Sequence, residues 1–272
     1  MRISVNTGTL LKYYSMEEAM TVIKNAGFDS ADFSVQSVLG RPEFSEENFE
    51  KSAYKLREHS EKIGLPLTQA HSGGDVVRSI KIASICGIET IIVHPRIIVP
   101  HVGHEDENFK LNMEFYSKYV DVAREYNVKI GVENMFKWCW NREFIQHSTC
   151  SRPEEFVRYM DELNRLYGDV FTACLDIGHV ALVSVEPADA IRALGSRLTG
   201  LHVHDNFLIS DDHTLPGIGK IDFNAVSDAL RDIKYTGEYT LECAFNQPKE
   251  LIPLTLEYVA NVCRHYAARA QW

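Results

Sequence analysis

Acidic and imidazole side chains stand at the ends of six short apolar segments of this sequence. In the clearest case, the apolar run 128–132 leads directly into Glu133. The six residues are His71, His94, Glu133, Asp176, His202 and Glu242. Several carboxylates that converge in a medium of low dielectric constant repel one another, and a divalent cation relieves that repulsion. The pattern therefore predicts a metal site, provided that the fold brings the segments together.

Four of these residues come from four successive segments and are the predicted metal ligands. They are Glu133, Asp176, His202 and Glu242. Three carboxylates and one imidazole form an oxygen-rich set, which favours Mn²⁺, Mg²⁺ or Co²⁺ and also admits Zn²⁺. Their three negative charges exceed the charge of a divalent ion, so one acid stays available to take a proton. We therefore predict one divalent metal ion as the cofactor.

The elements that would position these residues alternate regularly. Eight short β-type segments each precede an amphipathic helical pattern, and such strands pair in parallel through right-handed crossovers. Eight units in 272 residues predict an α/β fold, the (β/α)8 TIM barrel, as a single domain over residues 1–272. Its active site lies at the C-terminal ends of the strands, where the six residues stand. A doubly wound open sheet is the alternative, but NTGTLLK after the first strand is not a Gly-rich phosphate loop.

Local signals mark the helix ends. Ser15 and Glu18 have the spacing of a capping box, and so do Ser151 and Glu154. The longest loops are expected after the fifth and seventh strands. The patterns predict helices at 15–26, 45–63, 75–85, 107–126, 153–163, 187–194, 222–233 and 251–268.

Composition limits the classes of partner. Lys and Arg total 28 and Asp and Glu total 38, which gives a formal net charge of −10. This balance, without a basic run, disfavours nucleic acid as a partner, because binding to a phosphate backbone relies on Lys and Arg. No apolar run approaches the ~20 residues of a membrane helix. No signal-peptide pattern begins at Met1, and the six Cys form no CxxC pair. We therefore expect a cytoplasmic protein with reduced thiols. A homo-oligomer is a possible form of this protein.

Several segments together resemble the xylose-isomerase-like TIM barrels. They are VEN after strand five, CLDIGH on strand six, LHVHDN on strand seven, DDHTLPGIG in the following loop and LECAF on strand eight. This superfamily includes ketose 3-epimerases, inosose-processing enzymes, hydroxypyruvate isomerase and endonuclease IV. In the epimerase branch, the resemblance implies that the four predicted ligands bind one metal and that Glu133 and Glu242 also act as acid and base. His179 matches the His that contacts the substrate, and His204, on the face of His202, is expected to orient a ligand.

The favoured function is that of a metal-dependent isomerase or epimerase in carbohydrate metabolism, acting on a small sugar, cyclitol or related hydroxyketone. Glu133 and Glu242 would remove and return a proton beside a carbonyl, through an enediolate that the metal stabilises. Trp138, with Trp140 and Phe136, would stack on the sugar or pack the loop onto the barrel. The predicted substrate-binding residues are His71, His94, His179, Asp211, His213 and Trp138. A non-catalytic binding protein is a third class, and the paired acids argue against it.

The endonuclease IV branch gives the alternative function. The segment DNFLIS lacks the Arg that the epimerases place after the strand-seven His, and the loop with Asp211 and His213 is closer to the endonuclease IV pattern. That branch binds three zinc ions through nine ligands. Their counterparts here are His71, His94, Glu133, Asp176, His179, His202, Asp211, His213 and Glu242. The alternative is therefore a zinc phosphodiesterase acting on abasic DNA, which a metal count would separate from a one-metal isomerase.

Overall fold

The structure is a computed structural model that describes residues 1–97, 100–139 and 144–271. Eight parallel strands close into a barrel in chain order, with the eighth strand paired to the first. The strands are Ile3–Asn6, Ser30–Ser34, Leu67–His71, Thr90–Val93, Lys129–Glu133, Phe171–Asp176, Leu198–Val203 and Tyr239–Leu241. The predicted (β/α)8 fold is confirmed.

Helices surround the barrel and turn their apolar stripes towards the strands. In the first helix, for example, Met20 and Ile23 are fully buried. None of the helices in the described part of the chain is both long and apolar enough to cross a membrane. The α-helices are Met16–Asn25, Phe49–Ile63, Val76–Ile85, Glu105–Ser117, Val120–Glu125, Pro153–Tyr167, Ile177–Leu182, Pro187–Leu194, Phe223–Asp232 and Ile252–Arg269.

One of the two predicted capping boxes is present. Ser15 Oγ accepts the backbone N–H of Glu18, and the Glu18 carboxylate accepts that of Ser15, an arrangement that contributes about 1 kcal/mol. The second prediction is wrong, because helix Pro153–Tyr167 has Arg152 at its N-cap without a side-chain cap. Ser151 lies one residue too early, and its hydroxyl accepts a backbone N–H of the preceding turn. The proline at the first helical position needs no partner, since it has no N–H.

Three other segments differ from the predicted pattern. The helix predicted at 107–126 is two helices, Glu105–Ser117 and Val120–Glu125, separated by a tighter turn. The loop after the fifth strand contains an antiparallel hairpin, Phe136–Cys139 with Phe144–His147. A short helix, Ile177–Leu182, directly follows the sixth strand.

The layer of side chains beneath the strand ends has an unusual composition. Side chains alternate along a strand, so the residue two positions before a strand-end residue also points into the barrel. Beneath His71, Glu133, Asp176 and His202 these residues are Gln69, Gly131, Cys174 and Gly200. A Cβ at Gly131 would lie 2.4 Å from Ile92 Cδ1, and one at Gly200 would lie 3.0 Å from Gln69 Oε1. The glycines therefore make room for long side chains from other strands.

Candidate metal centre

The strand-end residues predicted from the sequence converge at the C-terminal mouth of the barrel. One donor atom from each of the four predicted ligands lies within 4.8 Å of the others; the four are Glu133, Asp176, His202 and Glu242. Three of them are buried, whereas the Glu242 side chain is 21% exposed and faces the opening. Asp176 and His202 are register partners on neighbouring strands, which fixes their separation.

His202 lies at the centre of this group. Its Nδ1 is 3.2 Å from Glu133 Oε1 and 3.2 Å from Glu242 Oε2. Asp176 Oδ2 is buried and accepts no hydrogen bond from any described residue. A buried carboxylate oxygen without a donor is costly, and a cation in this group would satisfy it. The donor set and its unpaired oxygen therefore fit a divalent metal ion.

Besides a cluster of Asp32, His71 and His202 that lies beneath it, two further clusters adjoin the central group at the mouth. On one side, donor atoms of His71, His94 and Glu133 lie within 4.8 Å of one another, with His94 Nε2 2.9 Å from Glu133 Oε2. On the other side, the same limit joins His179, His204, Asp211 and His213. Glu133 belongs to two clusters, and Asp176 Oδ1 lies 3.0 Å from His204 Nε2. The mouth thus holds a row of three clusters of possible metal ligands. Together, these clusters contain all nine residues that correspond to the endonuclease IV ligands.

His204 belongs to the third cluster, although the sequence placed it on the face of His202. The seventh strand ends at Val203, so the alternation of side chains does not extend to His204. Its ring stacks on that of His213, with centroids 4.0 Å apart and planes at 19°. Its Nε2 lies 3.0 Å from Oδ1 of a predicted ligand, Asp176.

Asp205 holds the loop that carries Asp211 and His213. Its carboxylate accepts four backbone N–H groups at distances of 2.7 to 3.1 Å, from Asn206, Gly217, Gly219 and Ile221. A Cβ at Gly219 would lie 2.2 Å from the Asn206 carbonyl oxygen, so only glycine fits there. Sequence reasoning missed this role. The signal was an acid directly after the seventh strand, followed by the segment PGIG.

A buried polar network lies beneath the central group and was also missed. Asp32 Oδ2 accepts a hydrogen bond from Asn6 Nδ2 at 3.0 Å and lies 3.0 Å from His71 Nδ1. Gln69 Nε2 lies 3.3 Å from the same oxygen and 2.8 Å from His202 Nε2. The signal in the sequence was an acid or an amide in the middle of each of two short strands, SADFS and LTQAH. Asp32 thus contacts Nδ1 of His71, and Gln69 contacts Nε2 of His202. The other ring nitrogen of each histidine faces Glu133 and Glu242.

The charges of the mouth compensate one another. Burial alone lowers the pKa of His71, but the Asp32 and Glu242 carboxylates outweigh it and raise the pKa to about 9. Burial alone raises the pKa of Glu133, but the imidazoles of His202 and His94 outweigh it and hold the pKa well below its usual range. Without a metal, imidazolium groups therefore neutralise the carboxylates. A bound cation would neutralise the carboxylates instead, and the imidazolium groups would release their protons.

The hairpin after the fifth strand packs against one side of the mouth. The Phe136 ring lies 5.0 Å from the His179 ring, and the Trp138 ring packs edge-on against Phe136 at 6.2 Å. Phe136 therefore contacts the site directly, and Trp138 lies behind it. Trp140 is outside the described residues.

The sequence matches one family and several named proteins. The profile of the xylose isomerase-like TIM barrel family matches residues 20–261. D-psicose 3-epimerase of Enterocloster bolteae is 30% identical over 120 residues, which cover 44% of this chain and 35% of that protein. Inosose isomerase of Bacillus subtilis is 23% identical over 162 residues, which cover 57% of this chain and 54% of that protein. The chain spans about half to two thirds of the length of the curated relatives that it matches most significantly.

Solved structures share the fold. A D-tagatose 3-epimerase-like protein superimposes with a TM-score of 0.76 at 20% identity, over 99% of this chain and 98% of that one. The IolI protein, solved with a bound zinc atom, superimposes with a TM-score of 0.74 at 18% identity, over 99% of this chain and 98% of that one. At these identities, the likeness establishes the barrel alone.

Proposed function

The chain belongs to the xylose isomerase-like TIM barrel family, and we propose that it is an isomerase or epimerase of a small sugar, cyclitol or related hydroxyketone. The observation that carries the proposal is the placement of Glu133 and Glu242, each with an oxygen 3.2 Å from the same nitrogen of His202. Epimerisation beside a carbonyl calls for one group that removes the proton from one face and a second that returns a proton to the opposite face. The relatives named as a psicose epimerase and an inosose isomerase support the substrate class.

The proposed cofactor is one divalent ion held by Glu133, Asp176, His202 and Glu242. The oxygen-rich donor set suits Mn²⁺, Mg²⁺ or Co²⁺, and Zn²⁺ is also compatible. When bound, such an ion supplies positive charge that stabilises the negative charge developing on the substrate oxygens.

The two glutamates carry the proton. They come from the fifth and eighth strands, which the sixth and seventh strands separate in the barrel. In the proposed mechanism, a substrate at the mouth would have one glutamate on each side. One carboxylate accepts the C–H proton, and the other, in its protonated form, gives a proton back. Because the reaction is reversible, each acts as base in one direction and as acid in the other. Phe136, in contact with His179, offers an apolar surface beside this point.

Proton exchange with solvent tests the proposal even when the product has not been identified. The metal-loaded protein would be incubated in D₂O with ketoses, inososes and their phosphates, and deuterium at the carbon beside the carbonyl would be followed by NMR. Exchange into one substrate that is lost in Glu133→Gln, with the fold retained, supports the assignment. Substantial exchange by Glu133→Gln removes it.

A second function is favoured by the row of three clusters. All nine residues that correspond to the endonuclease IV ligands lie in these clusters, an arrangement suited to a zinc phosphodiesterase acting on abasic DNA. The formal net charge of −10 opposes it, because DNA binding depends on cationic contacts to phosphates. Elemental analysis separates the two functions. Three zinc ions per chain together with cleavage of an abasic duplex would favour the phosphodiesterase, and one metal per chain favours the isomerase.

A further inference from the structure

Asn134 directly follows Glu133, and its side chain pairs with the backbone of Asp176. Asn134 Nδ2 donates to the Asp176 carbonyl oxygen at 3.0 Å, and Asn134 Oδ1 accepts the Asp176 N–H at 2.7 Å. A backbone N–H only donates and a carbonyl oxygen only accepts, so the two ends of the amide are fixed by their partners. The amide thus takes the place of a peptide group between the fifth and sixth strands, beyond their last paired residues, Glu133 and Cys174.

The backbone carbonyl of Asn134 contacts a second residue of the mouth, His179. Its oxygen lies 2.9 Å from His179 Nδ1, and Glu133 Oε1 lies 3.7 Å from the same nitrogen. Both neighbours are acceptors, so Nδ1 carries a proton whether the imidazole is neutral or charged. The other nitrogen, Nε2, is left to face the mouth, where it lies 3.6 Å from Asp211 Oδ2.

These contacts close a ring of three residues. The Asn134 side chain holds the backbone of Asp176, Asp176 Oδ1 accepts the backbone N–H of His179, and the His179 ring donates to the Asn134 carbonyl oxygen. All three residues are buried, and Asn134 and Asp176 are not exposed at all. A displacement of Asn134 would therefore move a predicted ligand and the adjacent imidazole together.

We propose that Asn134 is a positioning residue that holds Asp176 and His179 in one arrangement beside Glu133 and so prepares the central group for its metal ion. This inference rests on the metal site of the proposed function. It gives a role to a residue that would not touch the ion, because both polar atoms of its amide bond to the Asp176 backbone. Residues that hold the ligands of a metal without touching it change metal affinity by about 10–100-fold.

Asn112 provides a matched control. It is also fully buried, and its amide makes the same pair of bonds to the backbone of one residue, Arg96, at 2.7 and 2.9 Å. It donates in addition to the Asn108 carbonyl oxygen, so Asn112→Ala removes at least as many hydrogen bonds as Asn134→Ala. Only Asn134→Ala removes them from one of the four predicted ligands.

The test compares Zn²⁺ affinity, measured by competition with a chromophoric chelator, in the wild type, Asn134→Ala and Asn112→Ala. We expect urea in the presence of EDTA to unfold both variants at similarly lowered concentrations, since each loses a buried amide. We expect Asn134→Ala to bind Zn²⁺ about 10–100-fold more weakly and Asn112→Ala to bind it like the wild type. Wild-type affinity in Asn134→Ala, or an equal loss of affinity in both variants, would overturn the inference.

The His179 ring provides a readout that needs no metal. Long-range ¹H–¹⁵N spectra of the ¹⁵N-histidine-labelled protein in EDTA, assigned with His179→Gln, show whether Nδ1 carries a proton and how fast it exchanges with solvent. We expect a slowly exchanging proton on Nδ1 in the wild type and in Asn112→Ala, and faster exchange in Asn134→Ala. A wild-type Nδ1 without a proton would overturn the inference, and this result requires no variant of Asn134 to fold.

The two measurements separate this inference from the proposed function. A wild type that takes up no Zn²⁺ would overturn the proposed metal site, and the role of Asn134 towards the metal with it. Zn²⁺ binding by the wild type that Asn134→Ala leaves unchanged would overturn this inference alone.

Discussion

The carboxylate of Asp176 caps the helix that carries His179. Asp176 Oδ1 accepts the backbone N–H of His179 at 2.8 Å, and the sixth strand passes into the helix Ile177–Leu182 at this residue. One side chain thus sets the local backbone and contributes to the central group of the mouth. The position of His179 therefore depends on Asp176 in addition to the barrel.

Replacing Asp176 separates the two roles. Serine retains a helix-capping oxygen but lacks a carboxylate, and alanine lacks both. We expect Asp176→Ser and Asp176→Ala both to lose most metal affinity, and the metal-free alanine variant to be about 1 kcal/mol less stable than the serine variant. Urea unfolding in EDTA and metal titration measure the two effects. Wild-type metal affinity in Asp176→Ser would show that the carboxylate is not a ligand.

The paired glutamates are expected to be equally necessary for turnover. Because general acid–base groups contribute about 10²–10⁴-fold, Glu133→Gln and Glu242→Gln should each lower kcat by at least this factor. Glu238→Gln is the matched control, since Glu238 bonds to Ser30 and Thr68 at the N-terminal end of the barrel. Steady-state kinetics on the substrate found by deuterium exchange provide the measurement. If Glu238→Gln lost activity and the other two variants did not, the chemistry would lie at the N-terminal end of the barrel.

Asp205 should matter for the order of the loop that follows the seventh strand. Its carboxylate accepts four backbone N–H groups, and alanine would leave all four without this acceptor. We expect Asp205→Ala to lower the free energy of unfolding by about 1–3 kcal/mol and to make residues 206–221 sensitive to proteases. Asp222→Ala, which removes the cap of the next helix, is a control that leaves this loop closed. Equal protease resistance in Asp205→Ala and the wild type would contradict the role.

The stability of the metal-free protein should fall as the pH rises above neutrality. Burial alone would lower the pKa of His71, but the Asp32 and Glu242 carboxylates outweigh it, so folding raises this pKa to about 9. Burial would also lower the pKa of His213, but the Asp211 carboxylate outweighs it, and this pKa also rises to about 9. A histidine whose pKa is raised by folding stabilises the folded state. The full contribution is present below the pKa of the unfolded state, about 6.5, and it is lost as the pH rises through the pKa of the folded state.

Thermal unfolding in EDTA should therefore show a Tm that decreases from pH about 6.5 to about 9. The metal-loaded protein should instead lose stability on acidification, because protons compete with the metal for the imidazoles. A Tm in EDTA that increases over this range would contradict the charge state inferred for the mouth.

The barrel could be predicted from the sequence because alternating apolar strands and amphipathic helices repeat eight times. Once the fold is known, the strand ends must meet at one mouth, so the convergence of Glu133, Asp176, His202 and Glu242 follows from topology.

Other features left a weaker signal. The hairpin strands are four residues each and only partly buried, so they show little alternation. The helix Ile177–Leu182 is buried on all sides and has no amphipathic period. Asp32 and Gln69 are the middle residues of two short strands with several polar residues, SADFS and LTQAH, and their partners come from other strands of the barrel. Contacts of this kind depend on the three-dimensional arrangement, which no local pattern encodes.

Anomalous diffraction from crystals grown with Mn²⁺ shows directly which side chains hold the metal ion. We expect a strong peak enclosed by the side chains of Glu133, Asp176, His202 and Glu242, and its loss in crystals of Glu242→Gln grown in the same way. A manganese peak elsewhere, or no peak at this position in the wild type, would show that these four residues are not the ligands.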